Sequence, residues 1–429
     1  MSVTGVNLEK HVRVMTDRIG IRLAGSPEEH QAAEYIAEEL KKYCPVVSIE
    51  EFEVKRRLVT KESLEIFVNG EWKELRCSLF SSAASTDGKT VEGELVCFDT
   101  ATSYQRKDLS FLKGKAVIHL GCHIENEDNY RRLMEAKPAF ILFVDVRYPG
   151  PLPLGDGLFP AYVKKYGSVP SLNVAYMDIW NALKEKASKA RICVEGSMPA
   201  GKTTVVWGEI PGSDPDSGVI YCGGHHDTQA GTVGADDNAV GSAAIIELAR
   251  ILSGKKHKRS LRFMSFGAEE QLSAGSAAYV RAHREEISRN GVFMCNLDSF
   301  GTRMGWGALV VNAADDARAL MKEIYNGCDL YYVENVGICP YTDQFPFAAC
   351  GVPGCWVGQK NCASGIFYHH REDNTADIID FDKAAEWVNA SAELMGTFAD
   401  REDISSCRGI PEEIRKKVDE EFNSVYGGF

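Results

Sequence analysis

Apolar runs and helical stripes alternate along this chain, and the clearest case lies at its centre. Val219-Ile220-Tyr221-Cys222 is an uninterrupted apolar run of the kind that a buried parallel strand needs. Residues 240–252 then place apolar side chains at helical spacing, with Glu247 as the exception. The pattern predicts a strand, a loop and a helix in succession. Ligands of open α/β sheets bind outside the carboxyl ends of the strands, so this loop is a candidate ligand-binding site.

Similar patterns lie on both sides of this central unit. Near the start, we predict a helix over residues 8–19 and a second helix with Ser26 as its N-cap and Pro27 as its first residue. Further apolar strands are predicted at residues 203–207, 260–266 and 292–297. Together these elements predict an α/β fold with a mostly parallel mixed sheet flanked by helices.

Between residues 58 and 201 the pattern changes to short strands with turn residues between them. Residues 64–68 run into Asn69-Gly70, which is a hairpin signal. Further apolar strands are predicted at residues 95–98, 116–120 and 140–144. The change in texture predicts a compact β-rich region of its own, and it contains no paired set of histidines and carboxylates.

The length of 429 residues exceeds what one hydrophobic core usually serves. We therefore predict a larger domain over residues 1–57 and 202–400, with a domain over residues 58–201 inserted into it, since surface loops tolerate insertions. Residues 401–429 are predicted to form a C-terminal helical extension. Their pattern does not indicate a function.

Charge and composition exclude several partners. The net charge of −13 argues against nucleic acid binding, which requires a broad basic face. The chain has no run of about 18 apolar residues to span a bilayer and no signal peptide at its start, so we expect a cytoplasmic protein without membrane contact. Thirteen scattered cysteines fit reduced thiols, and Cys350, Cys355 and Cys362 lack the spacing of a zinc knuckle.

Polar residues follow the predicted strands of the larger domain. His225 and Asp227 come after the central strand, and Glu269-Glu270 follow the strand at residues 260–266. Two adjacent carboxylates with no basic neighbour are costly unless a cation compensates them. Asp298 follows the next strand, and Tyr368-His369 comes later. All these side chains are expected at the same edge of the sheet.

Two histidines and three carboxylates of this group form a nitrogen and oxygen donor set suited to zinc or a similar divalent ion. The set is His225, Asp237, Glu270, Asp298 and His369. Five side chains are too many for one tetrahedral site. They suit two ions about 3.5–4 Å apart with one carboxylate bridging them, as in two-metal hydrolases.

In this order, the segments resemble the family 28 metallopeptidases, the di-zinc aminopeptidases. The matching segments are His225-His226-Asp227, Gly234-Ala235-Asp236-Asp237-Asn238, Glu269-Glu270, Asp298 and Tyr368-His369. The resemblance covers about residues 1–56 and 202–400, and an ordered five-part pattern is far more specific than one motif. The inserted region is similar to a protease-associated domain through Lys113-Gly114-Lys115-Ala116-Val117 and Val169-Pro170-Ser171-Leu172. The resemblance therefore implies a zinc-exopeptidase-like fold with an inserted protease-associated-like domain.

The resemblance also implies a role for each matched residue. His225 and Asp298 would hold one zinc ion, Glu270 and His369 the other, and Asp237 would bridge them. Asp227 would hydrogen-bond His225 and fix its ring. Glu269 would be the general base that takes a proton from the attacking water and passes it to the leaving amine. Tyr368 would donate a hydrogen bond to the tetrahedral intermediate.

The implied activity is hydrolysis of peptides by a water that two zinc ions activate, with release of the N-terminal residue preferred. The sequence leaves the oligomeric state open, with a homo-oligomer as one alternative. His226 and His370 are predicted not to be ligands, and Asp373-Asn374-Thr375 is expected to supply a turn or cap near the site. Thr342-Asp343-Gln344 departs from the Ser-Asp-His that relatives often have, which leaves the substrate preference open.

Three other classes of protein are alternatives to the aminopeptidase. A carboxypeptidase or dipeptidase of the same fold would need arginines for a free carboxylate, and Arg303 and Arg371 are near in sequence. A non-catalytic binding protein would be expected to lack ligands or base, which are present here. An acyl-transfer cyclase on a related single-zinc fold would differ in metal stoichiometry. The chain has no Gly-x-Ser-x-Gly motif to support a serine hydrolase.

Overall fold

The structure is a computed structural model that describes residues 2–360 and 367–429. Internal contacts divide the chain into two compact units. The larger unit comprises Met1–Val54, Gly201–His369 and Asp373–Phe429, and the smaller unit comprises Lys55–Ala200 and His370–Glu372.

The strands are, in chain order, β1 (Val46–Lys55), β2 (Leu58–Val68), β3 (Glu71–Leu75), β4 (Cys77–Leu79), β5 (Val91–Phe98), β6 (Ala116–Leu120), β7 (Phe140–Val144), β8 (Ser171–Val174), β9 (Lys189–Ser197), β10 (Ala200–Ile210), β11 (Val219–His225), β12 (Ser260–Phe266), β13 (Gly291–Leu297), β14 (Trp306–Val311), β15 (Tyr332–Val336) and β16 (Gly354–Lys360).

The α-helices are α1 (Gly5–Arg13), α2 (Pro27–Leu40), α3 (Glu127–Glu135), α4 (Pro160–Tyr166), α5 (Tyr176–Lys184), α6 (Val240–Leu252), α7 (Ala274–Ala282), α8 (Arg284–Asn290), α9 (Asp315–Gly327), α10 (Gln344–Ala349), α11 (Phe381–Asp400) and α12 (Glu412–Val425). None of the helices in the described part of the chain has the length and apolar character needed to cross a membrane.

The sheet of the larger unit has the order β1-β10-β12-β11-β13-β16-β14-β15 within the described residues. Its four central strands β12, β11, β13 and β16 are mutually parallel, whereas β10 and β14 join them in antiparallel register. Every residue of β11 and β12 is buried, as expected for strands covered on both faces. The predicted mostly parallel mixed sheet is therefore confirmed.

Helices cover both faces of this sheet. On one face, α1, α2, α6, α9 and α11 pack their apolar side chains into a single large core with β11 and β13. On the other face, Tyr279 and Val280 of α7, Ile287 of α8 and Phe347 of α10 pack against Tyr221, Phe266 and Met294 of the strands. These two layers hold the central strands in place from both sides.

The two helices predicted near the start of the chain are present, and the predicted start of the second one is confirmed. The Ser26 hydroxyl accepts a hydrogen bond from the backbone N–H of Glu29, and Pro27 is the first residue of α2. The predicted first helix begins earlier, at Gly5, because Thr4 caps it, and it ends in a wider helical turn over Val14–Ile19.

The smaller unit has its own eight-stranded sheet within the described residues, in the order β3-β2-β9-β5-β6-β7-β8-β4. The predicted hairpin is confirmed, since β2 and β3 are antiparallel and Asn69 and Gly70 both have positive φ. Strands β5, β6, β7 and β8 are parallel neighbours. Apolar side chains on the two faces of the sheet form two cores, one of which includes Ile118 and Leu142 and the other Phe98 and Phe143.

The cysteines of the described residues are all free thiols, as predicted for a reduced protein. They number twelve, of which eight are buried. Cys362 lies outside the described residues.

Candidate metal centre

The site is built at the carboxyl ends of the four parallel central strands. His225 is the last residue of β11, and Asp227 follows it by two residues. The Nδ1 atom of His225 lies 3.2 Å from the backbone oxygen of Asp227 and 3.4 Å from its Oδ1 atom. Its Nε2 atom is thereby directed toward the carboxylates of the site.

Asp237 lies in the turn Ala235–Ala239, which leads directly into α6. The turn is held by Asn238, whose side chain donates to the backbone oxygen of Leu297 and accepts from the N–H of Gly241. A Cβ atom on Gly241 would lie 2.3 Å from that same oxygen of Leu297, so only glycine lets α6 approach the sheet this closely. Asp237 is therefore fixed between a strand end and a helix start.

The two oxygens of the Asp237 carboxylate face different histidines. The Oδ1 atom lies 3.1 Å from Nε2 of His225, and the Oδ2 atom lies 3.3 Å from Nδ1 of His369. The Oδ1 atom of Asp298, the residue directly after β13, lies 3.5 Å from the same Nε2 of His225. A carboxylate with one oxygen toward each histidine has the orientation that a bridge between two ions requires.

Glu269 and Glu270 lie in a short helical turn that follows β12. Their backbone N–H groups donate to the Asp227 carboxylate at 3.0 and 3.3 Å. The Oε2 atom of Glu269 lies 3.8 Å from Nε2 of His225, and its Oε1 atom accepts a hydrogen bond from the Ser273 hydroxyl at 3.2 Å. Asp227 thus positions both the His225 ring and the pair of glutamates.

The carboxylates in this group repel one another. Burial raises the pKa of Glu269 well above its usual value, His225 opposes this rise, and Asp343 and Asp298 add to it. Burial likewise raises the pKa of Asp298 against the effect of His225, with Asp237 adding to the rise. Burial alone would lower the pKa of His225, but Asp298 and Glu269 raise it well above its usual value. Buried carboxylates therefore outnumber the cationic side chains near them.

The residues present fit a divalent metal. The Nε2 atom of His225 is buried and makes no hydrogen bond among the described residues, although carboxylates surround it. One potential ligand atom from each of His225, Asp237 and Glu270 lies within 4.8 Å of the other two. Imidazole nitrogens and carboxylate oxygens are the donors that zinc and related ions use.

Four further residues named in the sequence analysis have the following surroundings. Tyr368 precedes His369 and is half-buried. His226 points away into a buried network, with Nε2 at 3.0 Å from Glu29 and Nδ1 at 3.0 Å from Ser265. His370 belongs to the smaller unit, where its backbone oxygen accepts from the N–H of Gly155. Asn374 accepts from the backbone N–H of Asp236 at 2.8 Å, so it supports the turn that carries Asp237.

The structure adds Arg22, which sequence analysis did not find. Its guanidinium is fully buried and donates to the backbone oxygens of His226, Met15, Gly20 and Val233 at 2.6–3.1 Å. Burial lowers its pKa to about 10, while the nearby carboxylates of the site oppose this effect. Arg22 ties the loop after β11 to the N-terminal segment. A single arginine in an apolar loop carries no sequence signal for this role.

Asp343 is a second addition to the site. It is fully buried, and burial raises its pKa to about 8, with His225 opposing and Asp298 and Asp227 adding to the rise. Sequence analysis noted Thr342-Asp343-Gln344 only as a departure from the pattern of relatives, whereas the structure buries Asp343 near the other carboxylates. The sequence does not distinguish a buried from an exposed aspartate in such a segment.

The arginines of the carboxypeptidase alternative lie in different surroundings. Arg371 is buried in the smaller unit, where its guanidinium donates to the Asp145 carboxylate at 2.8 Å and stacks on Tyr148. Arg303 is exposed. Arg371 thus already forms an ion pair with a carboxylate of the protein itself.

The fold, the ligand cluster and the adjacent buried glutamate define a metal-dependent hydrolase. Residues 205–395, which include all five predicted ligands, match the model of Peptidase family M28. The protein is a metallopeptidase, and the resemblance to the family 28 metallopeptidases is confirmed for this segment.

Similar proteins agree with this class. The chain is 24% identical over 381 residues to aminopeptidase YwaD of Bacillus subtilis, and the match covers 85% of this chain and 78% of that protein. It is 31% identical over 175 residues to carboxypeptidase Q of Mus musculus, but covers only 36% of that protein. A solved zinc aminopeptidase from Bacillus subtilis has the same fold with a TM-score of 0.74 at 17% identity, covering 96% of this chain and 98% of that one.

Proposed function

We propose that this metallopeptidase is a two-zinc aminopeptidase. The observation that supports two ions is the orientation of Asp237, with one carboxylate oxygen toward His225 and the other toward His369. In this assignment Asp298 joins His225 at one ion, Glu270 joins His369 at the other, and Asp237 bridges them. Zinc is proposed because the donors are nitrogen and oxygen and because a solved relative of this fold is a zinc aminopeptidase.

When bound, such ions would polarise the scissile carbonyl and lower the pKa of a water. The residues of the chain then supply orientation and proton transfer. Glu269 is the proposed general base, because its Oε2 atom faces the ligand cluster while Oε1 is held by Ser273. It would take a proton from the attacking water at Oε2 and return it to the leaving amine. Asp227 holds the His225 ring and the backbone of both glutamates, and Tyr368 is the proposed donor to the developing oxyanion.

The charge of the site favours an N-terminal substrate group. Six carboxylates approach one another here, whereas two divalent ions and the buried Arg22 guanidinium would contribute five positive charges. The six are Asp227, Asp237, Glu269, Glu270, Asp298 and Asp343. This excess of negative charge suits the ammonium group at the start of a peptide. A free C-terminal carboxylate would require a cation, and Arg371 is already bound to Asp145.

The proposal extends to the smaller unit, which we infer to be a protease-associated-like domain. Its eight-stranded sheet and the two segments that resemble such domains support this assignment. Sequence places its limits at residues 58–201, flanked by a peptidase domain over residues 1–57 and 202–400.

A pair of blocked peptides tests the direction of cleavage. The same peptide is offered once with an acetylated N-terminus and once with an amidated C-terminus, each with and without a zinc chelator, and products are identified by mass spectrometry. We expect stepwise loss of N-terminal residues from the amidated peptide only, and no cleavage with chelator. Cleavage of the acetylated peptide from its C-terminus would favour the carboxypeptidase alternative instead.

A further inference from the structure

A buried carboxylate from helix α2 lies beside two of the strand ends that carry the metal centre. Glu29, in the first turn of α2, is fully buried, and its Oε1 atom lies 3.0 Å from Nε2 of His226. His226 is also fully buried and directly follows His225, a proposed zinc ligand. Because apolar side chains can often replace a buried ion pair without loss of stability, stability alone does not explain this pair.

Two buried serines link the pair to the backbone of His225. The Ser242 hydroxyl of α6 donates its only proton to the backbone oxygen of His225 at 2.8 Å. The Ser265 hydroxyl lies 3.0 Å from that of Ser242, so Ser265 is the donor between the two. The Ser265 oxygen then accepts from Nδ1 of His226 at 3.0 Å. Hydrogen bonds therefore run without a gap from Glu29 in α2 to the last residue of β11.

The donors and acceptors of this network make the pair ionic. The Oε1 atom of Glu29 accepts from the hydroxyl and the backbone N–H of Thr204, at 2.5 and 3.0 Å. The Thr204 hydroxyl thus has no proton left for Nε2 of His226, which lies 3.2 Å from it. Since Nε2 faces two acceptors, His226 must donate from both ring nitrogens. Burial would raise the pKa of Glu29, but hydrogen bonds with His226 and Thr204 lower it, as expected for a carboxylate.

This donor pattern excludes a second catalytic site. Ser265, His226 and Glu29 resemble a nucleophilic triad in composition, but the ring nitrogen next to the serine carries a proton and cannot act as its base. All three side chains are also fully buried. The network therefore supports the fold around the metal centre and does not form a separate nucleophile.

The same pair contacts the strand end that leads to the two adjacent glutamates. A Cβ atom on Gly267, the residue directly after β12, would lie 2.3 Å from Oε1 of Glu29, so the backbone there packs directly on the carboxylate. The backbone N–H of His226 donates to the backbone oxygen of Phe266 at 2.8 Å. Glu29 and His226 thus contact the ends of both β11 and β12.

We propose that Glu29 and His226 are positioning residues for the metal centre, which hold the ends of β11 and β12 at a fixed separation. This inference rests on the proposed assignment of His225 and Glu270 as zinc ligands. Ligands that are already held in place bind an ion more tightly, because no free energy of ordering opposes binding. Asp227 orients the ring of His225, whereas the network through Ser242 fixes its backbone.

The test measures zinc affinity by competition with a chelating dye, in full-length protein that has been stripped of metal. Glu29→Gln keeps the size of the side chain and removes its charge, and Ser242→Ala removes only the last hydrogen bond of the network. We expect roughly tenfold weaker zinc binding in both variants. The rise in melting temperature on addition of zinc should shrink as well. Ser242→Ala leaves the ion pair intact, so it decides the question if Glu29→Gln does not fold.

The matched control breaks a similar pair elsewhere in the larger unit. Asp400→Asn removes a carboxylate that lies 3.0 Å from Nδ1 of His257, a buried histidine that precedes the amino end of β12. We expect lower stability and wild-type zinc affinity. A loss of zinc affinity in Asp400→Asn equal to that in the network variants would overturn the inference, because any loss of stability would then weaken zinc binding.

Two further outcomes are decisive. Wild-type zinc affinity in folded Glu29→Gln or Ser242→Ala, with a lower melting temperature of the metal-free protein, would show a purely structural role. His225→Ala separates this inference from the proposed function. If His225→Ala loses zinc while the network variants bind it normally, only the positioning role is wrong; if His225→Ala binds zinc as wild type does, the ligand assignment and this inference both fail.

Discussion

The two units use similar residues at the carboxyl ends of parallel strands, but they balance the charges differently. In the smaller unit, Asp145 follows β7 and is bound by Arg147 at 2.9 Å and Arg371 at 2.8 Å. His123 follows β6 by three residues and lies 3.2 Å from Asp156. In this group, each carboxylate has a basic partner from the protein itself.

At the strand ends of the larger unit, the described carboxylates outnumber the cationic side chains near them, which are His225 and Arg22. Although burial opposes it, the two arginines lower the pKa of Asp145 to about 2, whereas the pKa values of Glu269 and Asp298 are raised. The same residue types therefore form a charge-balanced cluster in the smaller unit and a cluster with an excess of carboxylates in the larger unit. Unbalanced buried carboxylates, and not the mere presence of histidine and aspartate, indicate where a metal belongs.

The largest effect is expected when the balanced cluster is broken. Asp145→Asn removes the carboxylate that both the Arg147 and the Arg371 guanidinium groups contact. Loss of one partner of a buried ion pair typically costs about 3–5 kcal/mol, so the melting temperature should fall clearly. The matched control is Asp87→Asn, an exposed aspartate of the same unit, for which we expect no change. Equal melting temperatures for the two variants would contradict the comparison.

The stability difference between wild type and Asp145→Asn should depend on pH, and the pKa of Asp145 fixes the direction of that dependence. Because the folded pKa of Asp145 is depressed to about 2, its contribution is complete above the unfolded value of about 4 and is lost as pH falls toward about 2. The difference in melting temperature between wild type and Asp145→Asn should therefore narrow below about pH 4. A difference that widens in acid would show that another group is responsible.

A smaller effect of opposite sign is expected in the larger unit. In the chelated protein, Asp298→Asn removes one of several repelling carboxylates, so the free energy of unfolding should rise by about 1 kcal/mol. Denaturant unfolding with and without zinc measures this change. With zinc, the variant should lose stability relative to wild type, because it has lost a ligand. A lower stability of the chelated variant would mean that Asp298 is balanced by the protein itself.

The central fold could be predicted from the sequence because buried parallel strands leave a strong signal. The predicted strands at residues 260–266 and 292–297 coincide with β12 and, apart from one residue, β13. Strands β14 and β15 and helices α9, α10 and α11 were not assigned; β14 was missed despite its apolar run Ala308-Leu309-Val310-Val311, whereas the other elements have no such run. Residues 332–336 of the edge strand β15, for example, are mostly exposed. Such an element is defined by its partner in the sheet and not by its own pattern.

The side chains of the candidate site were found because their order along the chain is distinctive, whereas the residues that support them were not. The surroundings of Arg22 and Asp343 depend on contacts between distant segments. Arg371 shows the same limit, because its position in the sequence left open a role in binding a substrate carboxylate, while its guanidinium is bound to Asp145, 226 positions away. A hydrogen bond between distant residues produces no periodic pattern in the sequence of either segment, so it cannot be predicted from such patterns.

The central claim is that five side chains, distant from one another along the chain, hold two divalent ions with Asp237 between them. The most direct measurement is the zinc content per chain after chelation, reloading and removal of excess metal, for wild type and Asp237→Asn. The account predicts two zinc ions per wild-type chain and loss of at least one in Asp237→Asn, since both ions share that carboxylate. One zinc ion or none in the wild type, or two tightly held ions in Asp237→Asn, would contradict it.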